Sequence, residues 1–401
     1  MSRTELSTLS EGQSVWPVAL TQAEAAALNR SKLVTAQPEG DDWRVTAEYA
    51  VGVVRIGDFV VRVTPKVGVV KVLTLLARAY GVAGLTIDPS TVELGHDADL
   101  SAVLAVLFAL EVDRAMAGGP LRGYRTEDRT LPVLRGRLRM RDQYLRRYGV
   151  LSPLEVTVDE WTLDTDENRL IRAASQRLLD LPDVPQRARV ALMRLDRLLA
   201  EAWVPPRGAS LAGWTPTRLN ARLHRLLHLA ELVIAQTSVE HEAGSKQTHG
   251  FVINLAWLFE KLVAQLLGEA CPGLVTQKTY PLDSLSRLSI RPDLVFKDLA
   301  GGAIAVADTK YKLLDDNGNV PNADAYQLVT YCARLGLWTG HLIYAAGEPH
   351  AEPFDILGTD VRLVIHRIDL QQDMTGIESQ VAALLDKILQ PEHAGLVAKP
   401  V

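Results

Sequence analysis

The sequence predicts a multidomain protein of mixed α/β and α+β class: a strand-rich N-terminal part, a helical middle region and a C-terminal domain with the element order αβββαβ. Three observations carry that reading. A length of 401 residues exceeds one typical domain. Apolar, β-branched residues cluster in short strand-like runs over 43–65, whereas Leu, Ile and Ala recur at i, i+3, i+4 over 166–236. Beyond a polar, linker-like stretch at 238–250, the two patterns alternate. The expected divisions are therefore 1–165, 166–245 and 246–401.

Taken in order, the mixed N-terminus offers a short helix at 21–29. The segments Trp43-Arg-Val-Thr-Ala-Glu-Tyr, Val51-Gly-Val-Val and Phe59-Val-Val-Arg-Val-Thr then read as strands, marked off by Gly52 and Gly57-Asp58. Helices are predicted over 69–80 and 100–116, the second ended by Gly118-Gly119-Pro120. Residues 122–147 hold nine arginines and no lysine, against Glu127, Asp128 and Asp142. Within them Arg135, Arg137, Arg139 and Arg141 alternate with Gly136, Leu138 and Met140. On a strand that spacing puts four guanidinium groups on one face. Such a face needs anions, either phosphates or acidic side chains such as Glu127, Asp128 or Asp159. Helices follow over 168–181, 184–201 and 217–236, with Pro205-Pro206 breaking the second from the third. The C-terminal part reads as a helix at 251–267, strands at 277–282, 290–296 and 303–310, a helix at 322–335, and strands at 341–345 and 361–365.

Composition narrows the function. A content of 47% hydrophobic and 23% charged residues builds real cores and excludes a disordered chain. The net charge of −5 excludes a uniformly basic coat but leaves room for a local basic groove. Cys271 and Cys332 form no metal-binding or disulfide pattern. With no apolar run near ~18 residues and no basic-then-apolar leader, the expectation is a soluble cytoplasmic protein with no membrane partner.

The chemistry concentrates at 293–312. Ala303-Ile-Ala-Val-Ala-Asp-Thr-Lys is apolar up to Asp308, as a strand buried on both faces would be. A carboxylate at its end is costly unless something cationic meets it. Asp293 follows Arg291-Pro292 in the neighbouring strand, so two carboxylates converge as oxygen ligands for Mg²⁺, with Mn²⁺ as a substitute. Alternation puts Asp308, Lys310 and Lys312 on one face and Thr309 and Tyr311 on the other. A lysine there can orient or deprotonate an attacking water, or stabilise negative charge building on a phosphate. An acid-x-Lys triplet recurs by chance, and its plain alternative is a surface ion pair. Its setting is more specific: a helix with Glu260, two adjacent strands with Asp293 and Asp308, then a helix with Asp324, Gln327 and Tyr331 on one face. That order is the core of the PD-(D/E)XK nucleases.

Glu260 interrupts the apolar run Trp257-Leu-Phe-Glu-Lys-Leu-Val, either as a further metal ligand or as a solvent-facing neighbour of Lys261. Gln327 either reaches the active site or lies on the helix surface. His224 and His228 have zinc-ligand spacing but no third ligand, so a packing role is expected. Gly244-Ser245-Lys246 imitates part of a phosphate loop, yet Val239 stands where its first glycine belongs. Any nucleotide energy must come from another chain.

These motifs together resemble the McrC family, the nuclease subunits of the McrBC systems that restrict modified DNA. The resemblance rests on Val51-Gly-Val-Val…Thr64-Pro65-Lys66, Leu134-Arg-Gly-Arg-Leu, Asp164-Thr-Asp-Glu-Asn-Arg-Leu-Ile, and Arg291-Pro-Asp…Asp308-Thr-Lys-Tyr-Lys. Tyr311 stands where many relatives carry tryptophan, and the first forty residues carry none of these motifs. The resemblance implies a Mg²⁺-dependent endonuclease with Asp293, Asp308, Lys310 and Gln327 as catalytic residues, and Asp293, Asp308 and Glu260 as metal ligands. It implies an AAA+ GTPase partner of the McrB type, whose hexameric ring receives the N-terminal part, binds the GTP and recognises modified cytosine in double-stranded DNA. Arg135, Arg137, Arg139, Arg141 and Lys312 are then candidates for contact with DNA or ring. Two other readings compete: a self-sufficient nuclease of repair or recombination, and a non-cleaving adaptor that activates a GTPase.

Overall fold

The N-terminal strand-forming segments build two sheets in the computed structural model, which describes residues 8–56, 59–80, 100–148, 150–206, 213–237, 248–311, 320–345 and 351–389. Its first elements are β1 (Leu9–Ser10), β2 (Ser14–Val18), α1 (Gln22–Ser31), β3 (Thr35–Glu39), β4 (Asp42–Thr46), β5 (Ala50–Ile56) and β6 (Phe59–Thr64). Strands β2, β4 and β3 form one antiparallel sheet. Helix α1 starts where a capping box closes it: Thr21 accepts from the Glu24 backbone and Glu24 reaches back to Thr21. The second sheet runs β1-β6-β5 and gains a fourth strand from residues 248–254. Gly52 lies inside β5 rather than between strands. Its φ is +135°, and a Cβ there would stand 2.0 Å from the Phe251 carbonyl oxygen of that fourth strand, so only glycine permits the pairing.

The middle comprises α2 (Val69–Ala79), α3 (Leu100–Met116), β7 (Gly123–Leu131), β8 (Arg137–Leu138), α4 (Met140–Arg147), β9 (Leu154–Thr162), α5 (Asp166–Leu179), α6 (Gln186–Leu198) and α7 (His224–Gln236). Helix α3, apolar on nearly every side, is buried among α2, α6 and α7. The helix expected from 217 starts at α7, behind a 3₁₀ turn at Ala221–Leu223. Strands β7, β9 and β8 form a separate antiparallel sheet.

The four-arginine strand face expected over 135–141 does not form. Strand β8 is two residues long. Gly136 before it takes φ +76°, with the Thr157 carbonyl oxygen 2.2 Å from where a Cβ would be. Arg139 then sits at the N-cap of α4, which carries Arg141. The helix-forming run Met-Arg-Asp-Gln-Tyr-Leu-Arg-Arg, with Asp142 in its first turn, outweighs a brief alternation.

The C-terminal elements are β10 (Thr248–Asn254), α8 (Leu255–Ala270), β11 (Leu274–Thr276), β12 (Tyr280–Pro281), β13 (Ser289–Ile290), β14 (Leu294–Lys297), β15 (Ala303–Lys310), α9 (Asn322–Leu335), β16 (Thr339–Tyr344), β17 (Ala351–Asp355), β18 (Arg362–Arg367) and α10 (Met374–Leu389). The helix expected from 251 begins at 255, because Phe251 to Asn254 pair with β5 and Asn254 caps α8 by accepting from the Trp257 amide. Hydrogen bonding thus ties residues 248–254 to the N-terminal sheet, although a boundary at 246 assigns them to the C-terminal domain.

Six strands form the C-terminal sheet in the order β11-β14-β15-β16-β18-β17, parallel from β15 through β18 and antiparallel at both edges. Leu294, Phe296, Ala305, Ala307 and Ile343 face α8 and α10, in a core that continues into α2, α3, α5, α7 and the N-terminal sheet. On the other face Val295, Val306, Leu342 and Ile365 pack on Leu328, Tyr331 and Cys332 of α9. Strand β15 is covered on both sides, as its apolar run predicts. No helix among the described residues is long and apolar enough to cross a membrane.

Candidate active site

Antiparallel pairing of Leu294 with Ala307 brings the residues just beyond them, Asp293 and Asp308, to the same end of the sheet. Asp293 is tightly held. Its Oδ2 accepts from the Thr309 amide and hydroxyl, both at 2.8 Å, and its Oδ1 accepts from Gln277 Nε2 at 2.7 Å. The same Gln277 nitrogen donates to Glu260 Oε1 at 2.5 Å, so one amide joins a helix carboxylate of α8 to a carboxylate beside β14. Burial first, and then the charge of Asp293, raises the Glu260 carboxyl above its ordinary pKa.

Asp308 is only 2% exposed. Its Oδ2 lies 2.6 Å from Lys310 Nζ but makes no hydrogen bond of proper geometry. Burial, and behind it Asp293, pushes this carboxyl up to about 7 even though Lys310 pulls the other way. Lys310 donates to Gln327 Oε1 at 3.0 Å and lies 4.0 Å from Asp324 Oδ1. Burial works against the ammonium, yet Asp308, Asp324 and Asp293 hold its pKa above the ordinary lysine value. Gln327 is oriented from both ends, since its Nε2 donates to the Tyr331 hydroxyl at 2.6 Å while its oxygen takes the lysine. Tyr331 in turn donates to the Arg291 carbonyl at 3.3 Å, and Asp324 accepts from Tyr344 at 3.0 Å.

Glu260, Asp293, Asp308, Lys310 and Gln327 are therefore neighbours, drawn from α8, β15, α9 and the residue preceding β14. Lys312 lies outside the described residues. Gln277 was missed as a partner: the expected strand over 277–282 does not form, β11 ending at Thr276 and β12 spanning only Tyr280–Pro281, and Gln277 stands in the turn between them at φ +52°. Thr309 falls on the face of β15 opposite Asp308, as alternation requires, but its grip on Asp293 depends on strand register.

A hard divalent cation fits the carboxylate chemistry here, which is all oxygen and includes the buried Asp308 Oδ2, whose near neighbour is the Lys310 ammonium. Among the described residues, no three acidic, histidine or cysteine side chains form a ready ligand cage. Between Glu260 and Asp293 stands the Gln277 amide instead.

Elsewhere, His224 and His228 pack on Trp214, with ring centroids 5.1 and 5.0 Å away, and His224 bonds Asn220. Both are half-buried packing groups, and His228 also lies 3.4 Å from Glu231. Of the four arginines, Arg135 pairs with Glu160 at 3.2 Å, and Arg139 with Asp142 and, at 3.1 Å, with Asp128. Arg137 and Arg141 are exposed and make no ion pair among the described residues.

The family model described as McrBC 5-methylcytosine restriction system component matches residues 45–345. No curated protein matches the chain. Among solved structures, the chain is similar to one in the refined half-complex from a tetradecameric assembly of Thermococcus gammatolerans McrB AAA+ hexamers with bound McrC. The identity is 18% over 95% of this chain and 99% of that one, with a TM-score of 0.59, which shows a shared fold along nearly the whole length. A chain of the Thermococcus gammatolerans McrBC complex, solved by cryo-EM, is 20% identical over 65% of this chain and 86% of its own, with a TM-score of 0.42.

Proposed function

The chain belongs to the McrBC 5-methylcytosine restriction system component family, and from that premise we propose that it is the endonuclease subunit of a GTP-dependent restriction complex. It hydrolyses phosphodiester bonds of double-stranded DNA with a PD-(D/E)XK site built on Asp293, Asp308 and Lys310. The observation that carries this reading is Asp308: a nearly inaccessible carboxylate, raised by burial and by the neighbouring Asp293 charge, and paired with an ammonium that Gln327 orients. A simple ion pair has no need of the further carboxylates Asp293 and Asp324 around it, whereas metal-assisted phosphate chemistry does.

Asp293, Asp308 and Glu260 would hold Mg²⁺ or Mn²⁺, which supplies Lewis-acid neutralisation of phosphate charge when bound. Lys310 places a fixed positive charge where the attacked phosphate gathers negative charge, or holds the attacking water in line. Gln327 fixes the ammonium, and its own orientation is fixed by Tyr331. Thr309 keeps the Asp293 carboxylate aimed at the end of β15. The apolar residues under this cluster keep bulk water away from the charges, which strengthens each of these contacts.

The partner is a GTP-hydrolysing AAA+ ring, in keeping with the McrB AAA+ hexamers that hold the similar chain. It binds the GTP and recognises modified cytosine, and the complex acts in the cytoplasm. Asp308→Ala should abolish cleavage by the assembled complex while the protein stays folded and still stimulates the partner. Lys310→Ala should slow cleavage by about 10²-fold or more. Cleavage of methylated DNA by the Asp308 variant, or by the parent complex in excess EDTA, would overturn the assignment.

A further inference from the structure

Gln277 has no part in the chemistry above, yet it holds a central position. Its Nε2 lies 2.5 Å from Glu260 Oε1 and 2.7 Å from Asp293 Oδ1, so two amide hydrogens face two anionic oxygens. Its backbone is in the left-handed region at φ +52°, a conformation that side-chain-bearing residues adopt only when something compels it. Here the compulsion is visible. The Gln277 N–H donates to the Asp293 carbonyl at 3.0 Å, and its own carbonyl accepts from Arg291 Nε at 3.1 Å. The residue is clamped from both sides onto the segment that delivers Asp293.

We propose that Gln277 is a cation ligand of this site: its amide nitrogen holds Glu260 and Asp293 together in the metal-free protein, and its carbonyl oxygen coordinates the metal once one enters. The proposal rests on the reading of Glu260 and Asp293 as metal ligands. A terminal amide is nearly symmetric in shape, so a half-turn about its last torsion exchanges NH₂ for oxygen without moving the backbone. Hard cations accept glutamine carbonyls beside carboxylates. The exchange also explains why no cage of three acids is needed. Two carboxylates, Glu260 and Asp293, already meet at the end of this one amide.

Calorimetric titration of the full chain with Mn²⁺, paired with melting curves in EDTA, tests this without reference to cleavage. Gln277→Met keeps the side-chain length but removes both donor and oxygen; it should bind Mn²⁺ about tenfold or more weakly and melt lower in EDTA. Gln277→Glu keeps an oxygen and adds charge; it should melt lower in EDTA yet bind Mn²⁺ more tightly than the parent. Undiminished or tighter binding by Gln277→Met would overturn the proposal, since the amide would then be a mere placeholder. Should that variant fail to fold, equal or weaker binding by Gln277→Glu would overturn it instead. Glu260→Gln and Asp293→Asn separate the two levels. If both bind like the parent, the metal reading fails; if both weaken while Gln277→Met does not, only the role of Gln277 fails.

Discussion

Asp308 is the residue on which fold and chemistry conflict most directly. Its carboxyl is raised to about 7 by burial and by Asp293, so the folded chain keeps a proton that the unfolded chain releases near the ordinary value of 3.8. The sign follows from that difference. The stabilisation is complete below the unfolded pKa and is lost as pH rises through about 7. In EDTA, the melting temperature of the parent should fall relative to Asp308→Asn between about pH 4 and pH 7. At neutral pH, added Mg²⁺ should raise the melting temperature of the parent and leave the asparagine variant nearly unchanged. Parallel pH profiles for the two proteins would mean that the Asp308 charge is well compensated without metal. The acid-x-Lys spacing made Asp308 and Lys310 legible in the sequence, because a charge ending an apolar strand is conspicuous. Gln277 was not legible, because its importance lies in what it touches.

At the scale of elements, two motifs of the sequence take different roles. Asp164-Thr-Asp-Glu-Asn turns out to be a structural knot. Asp164 accepts from Arg169 at 2.6 and 2.7 Å, from Arg125 and from the Trp203 amide at 2.8 Å, while Thr165 caps α5. Asn168, fully buried, donates to the carbonyls of Leu121 and Leu163, both at 2.7 Å. The arginine run around β8 and α4 divides instead. Arg135 and Arg139 are occupied by acids, whereas Arg137 and Arg141 are exposed and have no acid partner among the described residues. Reversing Arg137 and Arg141 to Glu should therefore weaken DNA binding or assembly with the partner, with little change in melting temperature. If they meet phosphates, the slope of log affinity against log salt should flatten by nearly two units. A folded double variant that binds and assembles normally would exclude these two arginines from both contacts. The alternation of residues 135–141 predicted the wrong partition because a two-residue strand does not set a face.

At the scale of the whole molecule, the C-terminal sheet does not stand alone. Helix α8 packs on α2, and Arg78 of α2 binds Glu269 of α8 at 2.6 Å and Glu378 of α10 at 2.7 Å. Its guanidinium holds the Glu269 carboxyl down to about 2, so this clamp survives well into acid. A fragment beginning at residue 246 would leave the apolar face of α8 without α2 and strand β10 without β5. It should lack the near-ultraviolet circular dichroism of a packed core; native-like spectra and a sharp melt would show the domain to be autonomous. A second expectation concerns energy supply. Gly244-Ser245-Lys246 lies outside the described residues, and its spacing already departs from a phosphate loop. Phosphate release from GTP should be absent with this chain alone and faster with the mixture than with the partner alone. Robust turnover by the isolated chain would refute that division of labour.

Local physics reaches a definite distance in this protein. The apolar run of β15, the capping box of α1 and the all-round hydrophobicity of α3 each express a preference contained within a dozen residues, and each was determined by the sequence itself. Asp308 and Lys310 belong with them, since a two-residue spacing puts both on one face. What only the tertiary structure decided involves partners far apart along the chain. Phe251 to Asn254 have a helix-compatible pattern, yet they become a strand because β5 offers a ladder and Gly52 leaves room for it. Arg139 turns from the proposed face to Asp128 and Asp142. Glu260 and Asp293 meet through Gln277, three residues from three separate segments whose convergence is set by how α8 lies across the sheet. Short-range propensity is encoded wherever it occurs, whereas a contact between distant segments exists only once packing has chosen their register.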